Sequence, residues 1–301
     1  MFESNKKNIA SYILSEVITI KVFYIKKDDK PNRLKTILNL IKVNNNEMIL
    51  PYNLKQEKTH IIAKKINKIC QKTNTTNIVL AKDLKTSENL IRRINDYNLH
   101  IFDGRWLFGY MAYETIDYII NKLNKKKSET EISILINVPT KEVLETIKIL
   151  AKEYKRINII TNHIAKFKRL EEKLYNKDGI MIVVSNNKKR SLANAEIILN
   201  FDFVKENLNK YNIYDEAIII NIEGDMKISK KRFNGINVNN YEISSIREND
   251  NFSVDKLNTY SLKDLVEAEL YREDSFKNIR RDVQKGMYCI KELYGNKGAL
   301  W

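Results

Sequence analysis

The sequence EISILINVP, at residues 131–139, contains a short run of branched apolar residues that ends in a turn, and it is the first of five such runs. The strand within it is Ile132–Ile136, and four similar runs follow at Ile157–Thr161, Ile180–Ser185, Ile197–Leu199 and Ala217–Ile222. Apolar residues in these runs are continuous rather than alternating, which is typical of strands that are covered on both faces of a sheet. We therefore predict a parallel sheet with helices on both of its faces.

Segments with helical spacing separate the predicted strands. Residues 140–154, 164–174 and 204–211 each place apolar residues three or four positions apart. Connections of this length between parallel strands are right-handed crossovers, which produce a doubly wound sheet. The sequence thus predicts an α/β chain with a Rossmann-like domain at residues 126–243.

Strand and helix patterns also alternate before this domain, and they predict an N-terminal α/β domain at residues 1–125. Its predicted strands are 17–25, 77–81 and 99–102, and its predicted helices are 34–41, 61–70, 87–97 and 106–123, the last of them capped by Asp103. After residue 243 the chain is more polar. Helical patterns at 257–271 and 275–283 predict a C-terminal helical extension at residues 244–301, which we expect to pack back on the N-terminal domain.

The net charge of +15 raises the question of a nucleic-acid partner. Lysine outnumbers arginine 41 to 12, and asparagine and isoleucine are also in excess, which indicates an A/T-rich coding sequence rather than selection for a basic surface. Surfaces that recognise phosphate are typically rich in arginine, because the guanidinium fork matches phosphate geometry. Nucleic acid therefore stays an alternative partner, to be tested by a salt-dependent shift of labelled RNA or DNA.

The sequence predicts no membrane span, since the apolar segment Trp106–Ile120 is short and contains two acidic residues. Met1–Ala10 is not followed by the continuous apolar core of a signal peptide. Cys70 and Cys289 belong to no cluster of cysteine and histidine, so we expect neither a disulfide framework nor a metal site. These features predict a cytoplasmic protein.

Two short motifs accompany the strands: Thr161-Asn162-His163 after the second, and Leu192-Ala193-Asn194-Ala195-Glu196 before the fourth. With them, residues 131–202 resemble the nucleotide-binding domain of the shikimate dehydrogenase and glutamyl-tRNA reductase group. That group has an Asn-Arg-Thr-like sequence and a Leu-x-x-Ala-Asp-like sequence at these two places. The resemblance covers about a quarter of the chain and lies in spacing and hydrophobic pattern, so it implies the fold more than the function.

The glycine positions of the G-x-G-x-x-G dinucleotide motif are occupied here by Asn137, Pro139 and Glu142. Binding of a diphosphate needs close backbone approach and free N–H groups at a helix N-terminus. The Asn137 side chain obstructs the turn, Pro139 lacks an N–H group, and Glu142 brings a negative charge. We therefore expect no cofactor. NADP is the alternative, because Asn162 in place of an acidic residue would tolerate a phosphorylated ribose.

Each predicted strand of this sheet ends in or next to an asparagine. Ligands of open α/β sheets bind outside the carboxyl ends of the strands, so a polar crevice there is the candidate site for a small polar or anionic ligand. A structural role is the alternative, since asparagine makes up about an eighth of the chain and is favoured in turns. His163 is the one predicted acid–base group. The predicted site residues are Asn137, Thr140, Asn162, His163, Asn186, Lys188 and Asp202.

Three functions are compatible with these patterns. The first is a non-catalytic Rossmann-like protein with a structural, regulatory or ligand-sensing role, which the missing glycines and the missing catalytic cluster favour. The second is an NAD(P)-dependent reductase with an atypical cofactor site. The third is a nucleic-acid-associated protein, which rests on net charge alone. Titration with NADP(H) and NAD(H) separates the first two functions.

Overall fold

The structure is a computed structural model that describes residues 21–54, 56–203, 212–224, 233–245, 252–271, 276–285 and 288–301. The chain falls into two compact units. The first contains the described residues up to Phe102 together with Asp255–Ser261, and the second contains Asp103–Val254 and Leu262–Trp301. The predicted helix at 204–211 and the beginning of the first predicted strand lie outside the described residues.

The first unit is built on a five-stranded sheet in the order β2-β3-β1-β4-β5. Strands β3, β1, β4 and β5 are parallel, and the edge strand β2 is antiparallel to β3. The hairpin of β2 and β3 was not predicted from the sequence. The elements are β1 (Phe23–Lys27), α1 (Arg33–Leu38), β2 (Lys42–Asn44), β3 (Glu47–Leu50), α2 (Thr59–Lys72), β4 (Asn77–Leu80), α3 (Glu88–Asn95) and β5 (His100–Phe102).

The second unit contains a six-stranded sheet in which all neighbouring strands are parallel. Counted along the chain, its strands lie in the order third, second, first, fourth, fifth, sixth, which is the order of a Rossmann fold. The predicted α/β fold class is confirmed. The elements are α4 (Arg105–Tyr110), α5 (Ala112–Lys122), β6 (Glu131–Leu135), α6 (Lys141–Glu153), β7 (Arg156–Ile160), α7 (Ile164–Asp178), β8 (Val183–Ser185), α8 (Lys188–Leu192), β9 (Ile197–Asn200), β10 (Ile218–Asn221) and β11 (Ile236–Val238).

The helix predicted at 106–123 is two helices, α4 and α5, which meet at Met111. Both belong to the second unit, because Leu107, Ile116 and Ile120 are buried in the same core as the strands of the six-stranded sheet. The predicted N-cap, Asp103, is wrong by one residue. Gly104 caps α4 with a φ of 87°, a left-handed conformation that glycine adopts without strain.

The last part of the chain contains three helices, α9 (Val254–Thr259), α10 (Leu262–Leu270) and α11 (Phe276–Lys285). It also contains an antiparallel sheet that the sequence patterns did not predict, formed by β12 (Asn240–Ser245), β13 (Tyr288–Gly295) and β14 (Gly298–Leu300). Residues 255–261 group with the first unit, whereas residues 262–301 group with the second. The reason is that Val266, Val283 and Leu293 are buried in the core of the six-stranded sheet.

None of the helices in the described ranges combines the length and the apolar character needed to cross a bilayer.

Candidate functional site

The candidate site lies at the carboxyl ends of the six-stranded sheet. Strands β6 and β9 are neighbours in that sheet, with Leu135 paired to Asn200. The turn after β6, which begins at Asn137, is therefore next to the turn after β9, which contains Asp202. This is the topological switch point of the sheet, where ligands of such folds bind.

The carboxylate of Asp202 occupies the amide donors of the turn after β6. The backbone N–H of Asn137 donates to both carboxylate oxygens, at 2.9 and 2.8 Å, and the N–H of Val138 donates to Oδ2 at 2.8 Å. In a dinucleotide-binding Rossmann domain, amide donors at this turn bind the diphosphate. Here a side chain of the same chain supplies the anion.

The start of helix α6 is also capped by the chain itself. The hydroxyl of Thr140 accepts a hydrogen bond from the N–H of Val143 at 3.4 Å, so this predicted site residue is the N-cap of α6. Glu142 lies in the first turn of α6, where a negative charge stabilises the helix dipole. Both residues thus stabilise the start of α6.

A chain of hydrogen bonds joins the turns after the first three strands of the sheet. The side-chain oxygen of Asn137 accepts from the N–H of Asn162 at 2.9 Å, and the side-chain oxygen of Asn162 accepts from the ammonium group of Lys188 at 2.8 Å. The same ammonium group lies 5.1 Å from the centre of the Phe203 ring, within range of a cation–π interaction. Four predicted site residues, including Asp202, are therefore brought together by contacts with one another.

A second row of asparagines crosses the other half of the sheet. The amide group of Asn200 donates to Asn221 at 3.0 Å, and that of Asn221 donates to Asn239 at 2.8 Å. The side-chain oxygen of Asn200 accepts from the N–H of Phe203 at 2.9 Å. Asn200 and Asn221 are buried, so these bonds satisfy polar groups that water does not reach.

His163 and Asn186 lie in the same loops but outside both networks. The backbone N–H of His163 donates to the hydroxyl of Thr161 at 3.0 Å, while its exposed ring makes no hydrogen bond within the described residues. Asn186 is exposed, and its backbone oxygen accepts from the N–H of Lys188 at 3.0 Å. A general base is normally oriented by a second group, and His163 lacks one among the residues that the structure describes.

Glu223, which follows β10, is a group that the sequence patterns missed. Burial, and then the nearby negative charge of Asp202, raise the pKa of its carboxyl. The guanidinium of Arg105 donates to the backbone oxygen of Glu223 at 3.0 Å and pairs with Asp103 at 3.3 Å, so it contacts no carboxylate oxygen of Glu223 in the structure. The switch point therefore carries two carboxylates, which disfavour an anionic ligand.

The described residues contain no cluster of three or more histidine, cysteine, aspartate or glutamate side chains that could hold a metal ion. A dinucleotide diphosphate does not fit the turn after β6 as it stands, because its amide donors are already bonded to Asp202. The polar groups of this edge bond to one another and join four strand-end turns, those after β6, β7, β8 and β9.

No family model matches the chain. The DNA-directed RNA polymerase subunit beta'' of Oedogonium cardiacum is 30% identical over 148 residues. That match covers 43% of this chain and 6% of the polymerase subunit, so the chain spans only a small part of the length of this relative. It does not show a family.

Solved structures that are similar to the chain include dehydrogenases and a carbamoyltransferase. L-tryptophan dehydrogenase from Nostoc punctiforme is 7% identical, with 90% of this chain and 81% of that chain covered, at a TM-score of 0.34. Shikimate 5-dehydrogenase from Listeria monocytogenes is 9% identical, with 87% and 96% covered, at 0.30. Ornithine carbamoyltransferase from Pyrococcus furiosus is 10% identical, with 71% and 77% covered, at 0.30. At these scores the similarities carry no argument on function, and the Rossmann-like fold rests on the observed strand order.

Proposed function

We propose that this chain is a non-catalytic Rossmann-like protein with a structural or ligand-sensing role, and that its six-stranded sheet binds no dinucleotide. One observation carries the proposal: the Asp202 carboxylate accepts three hydrogen bonds from the amide groups of Asn137 and Val138. The amide groups that bind the diphosphate in dinucleotide-binding members of this fold are thus bonded here to a carboxylate of the same chain.

Displacement of Asp202 by a phosphate would be costly. Hydrogen bonds to a charged group contribute about 1.5–3 kcal/mol each, and a phosphate would have to replace the carboxylate as the acceptor of two N–H donors. The expelled carboxylate and Glu223 would then both lie near the bound diphosphate, with Glu142 in the adjacent helix turn. Like charges about 4 Å apart near a protein surface repel by about 4 kcal/mol. A dinucleotide therefore gains little at the turn where it normally gains most.

The test is an equilibrium titration of the full chain with NADPH and with NADH, in which calorimetry measures binding. We expect no saturable binding up to millimolar concentration. A dissociation constant in the micromolar range for either cofactor would overturn the proposal. The titration needs no substrate. It therefore separates a protein that binds no dinucleotide from a dinucleotide-dependent enzyme whose substrate is unknown.

The variant Asp202→Ala tests the physical reason. Removal of the carboxylate frees the amide groups of Asn137 and Val138, so we expect inorganic pyrophosphate to bind this variant more tightly than it binds the unaltered chain. Asp178→Ala, at the exposed end of α7, is the matched control and leaves pyrophosphate binding unchanged. If Asp202→Ala instead weakens pyrophosphate binding, Asp202 is part of an anion site and the proposal fails.

An NADP-dependent reductase is the second candidate, and one contact favours it. The ammonium group of Lys188 lies 2.8 Å from the side-chain oxygen of Asn162, at the end of the second strand, where a ribose phosphate would bind. Under this function NADPH binds more tightly than NADH, and Lys188→Ala removes that preference. Equal and negligible binding of both cofactors argues against it.

A further inference from the structure

A cavity of about 910 Å³ lies within the first unit, at the carboxyl ends of β1, β3 and β4. Its lining includes Lys27 at the end of β1, Tyr52 after β3, and Asp83 after β4. Ligand pockets of proteins have volumes of about 300–1,000 Å³, so this cavity has the size of a small-molecule site. The sequence patterns did not predict it.

The position of the cavity follows from the strand order of the first unit. Strand β1 lies between β3 and β4. The chain leaves β1 toward β2 and β3 on one side of the sheet, then crosses to β4 and β5 on the other. Loops that leave neighbouring strands in opposite directions open a crevice at the carboxyl ends, and ligands of open α/β sheets bind there.

One wall of the cavity comes from a distant part of the sequence, residues 255–259. The backbone N–H of Lys82 donates to the backbone oxygen of Thr259 at 3.0 Å, and its ammonium group donates to that of Leu257 at 2.9 Å. Tyr260, which is buried, contacts the ring of Tyr24 edge-on at 5.6 Å between centroids. These contacts fix the wall against the sheet.

Most charges of the lining are paired by the chain itself. Lys27 pairs with Asp83 at 2.9 Å, and Asp28 pairs with Lys35 at 2.6 Å. The hydrogen bond from Lys35 lowers the pKa of Asp28, so this carboxyl stays ionised at neutral pH. Asp29 and Asp255 differ, because neither forms an ion pair within the part of the chain that the structure describes, and both are exposed. The cavity therefore has a local excess of negative charge in a chain of net charge +15.

The size and the chemistry of the lining select the ligand. A bare metal ion would leave most of the volume empty, and the described residues offer no set of three ligating side chains. An anion would meet the charges of Asp29 and Asp255. A longer organic cation with two charges matches the two carboxylates of the lining in charge, and its carbon chain can lie against the exposed ring of Tyr52.

We propose that this cavity binds a small organic cation with two or more amino groups, whose ammonium groups pair with Asp29 and Asp255. The cavity is confined to the first unit, so the proposal does not depend on whether the six-stranded sheet binds a dinucleotide. The two proposals can fail separately.

Calorimetric titration of the full chain with spermidine, at about physiological salt, tests the proposal. We expect saturable binding at one site. Because the net charge of the chain is strongly positive, unspecific attraction of a polyamine is weak. The double variant Asp29→Asn and Asp255→Asn should bind about tenfold more weakly, since it loses two partly exposed ion pairs.

The matched control is the double variant Asp96→Asn and Asp178→Asn, which removes two exposed carboxylates elsewhere and should leave spermidine binding unchanged. Absence of saturable binding, or equal weakening in both double variants, would overturn the proposal. So would tighter binding of Mg²⁺ than of spermidine, because the site would then be a metal site. L-Glutamate in place of spermidine should produce no saturable heat, and binding of glutamate would contradict the predicted charge preference.

Discussion

The five-stranded and the six-stranded sheet each have a topological switch point, but the polar groups at the two points differ in their partners. At the switch point of the six-stranded sheet, the amide donors after β6 are bonded to Asp202 and the asparagines are bonded to one another. At the switch point of the five-stranded sheet, a cavity of about 910 Å³ is open and two of its carboxylates have no ion-pair partner in the described residues. Topology therefore indicates where a ligand can bind, and the partners of the polar side chains decide whether there is room for one.

The two switch points should differ in their contribution to stability as well as in binding. Polar groups that are satisfied by the chain should cost stability when they are removed, because their partners are left without a bond. Removal of polar groups that have no partner within the chain should change stability very little. Substitutions in the two units test whether this difference exists.

The largest effect is expected at Arg280, which joins α11 to α5 in the second unit. Its guanidinium donates to both carboxylate oxygens of Glu114, at 2.7 and 2.6 Å, and to the backbone oxygen of Tyr110 at 2.8 Å, and the residue is 8% exposed. Arg280→Ala leaves the Glu114 carboxylate unpaired in a partly buried site, so we expect the free energy of unfolding to fall by about 3–5 kcal/mol. Urea unfolding measures it.

The neighbouring Arg281 provides the control for that experiment. Its side chain is 58% exposed and pairs only loosely with Asp282, at 3.8 Å. Arg281→Ala should change the free energy of unfolding by less than about 0.5 kcal/mol. A loss of equal size in both variants would mean that net charge, rather than internal pairing, stabilises the second unit.

Glu267 should make the stability of the second unit depend on pH. Its buried carboxylate accepts from the N–H groups of Gly104 and Leu107, at 2.6 and 3.1 Å. Burial raises the pKa of this carboxyl from 4.5 to about 7, against the effect of those two bonds and with smaller contributions from Asp103 and Asp264. The folded chain thus binds this proton more tightly than the unfolded chain, so the contribution of Glu267 to stability is largest below about pH 4.5 and is lost as the pH rises through about 7.

A difference of this size in pKa corresponds to about 3 kcal/mol. Glu267→Gln cannot ionise, so the fall between about pH 4 and about pH 8 should be smaller by about that amount. The measurement is the urea midpoint at several pH values. Glu269→Gln, an exposed residue on the same helix, should keep the full pH dependence. If the two variants behave alike, the titrating group is not Glu267.

Asp202 should have a smaller effect on stability, because it is only half-buried. Asp202→Ala removes the acceptor of three amide hydrogen bonds, but water can reach some of the donors that are left. We expect a loss of about 2 kcal/mol, against less than about 0.5 kcal/mol for Asp178→Ala. Thermal unfolding measures both. A neutral Asp202→Ala variant would show that the switch point of the second unit is not held by its own carboxylate.

The sequence predicted five strands of the six-stranded sheet because they read as continuous apolar runs, which is typical of strands covered on both faces. The sixth strand, β11, was not predicted. The asparagines at the strand ends could also be predicted to lie at one edge of this sheet. The sequence could not predict that Asp202 bonds to the turn at Asn137, since that contact depends on the pairing of β6 with β9 rather than on local spacing. The antiparallel sheet was missed because its strands are short or polar, and β12 contains an irregularity between Glu242 and Ile243.

The cavity of the first unit was missed for a related reason. Its wall at residues 255–259 contacts Lys82 across a sequence separation of 175 residues. Local patterns assign a helix to that segment but do not indicate which unit it joins. The position of residues 255–259 depends on a few contacts with residues far away in the sequence, such as the one between Tyr260 and Tyr24. Hydrophobic periodicity reports only on local structure and does not predict such contacts.

The smallest effect on stability is expected at Asp29 and Asp255. Neither carboxylate has an ion-pair partner among the described residues, and both are exposed, so Asp29→Asn with Asp255→Asn removes repulsion without breaking a bond. The free energy of unfolding should stay within about 0.5 kcal/mol of that of the unaltered chain, or rise slightly. Spermidine should raise the unfolding temperature of the unaltered chain and have less effect on the double variant, since a ligand stabilises only a form that binds it. A double variant that unfolds as readily as Asp202→Ala would mean that these carboxylates, too, are held by the fold, and the two switch points would then differ in shape but not in kind.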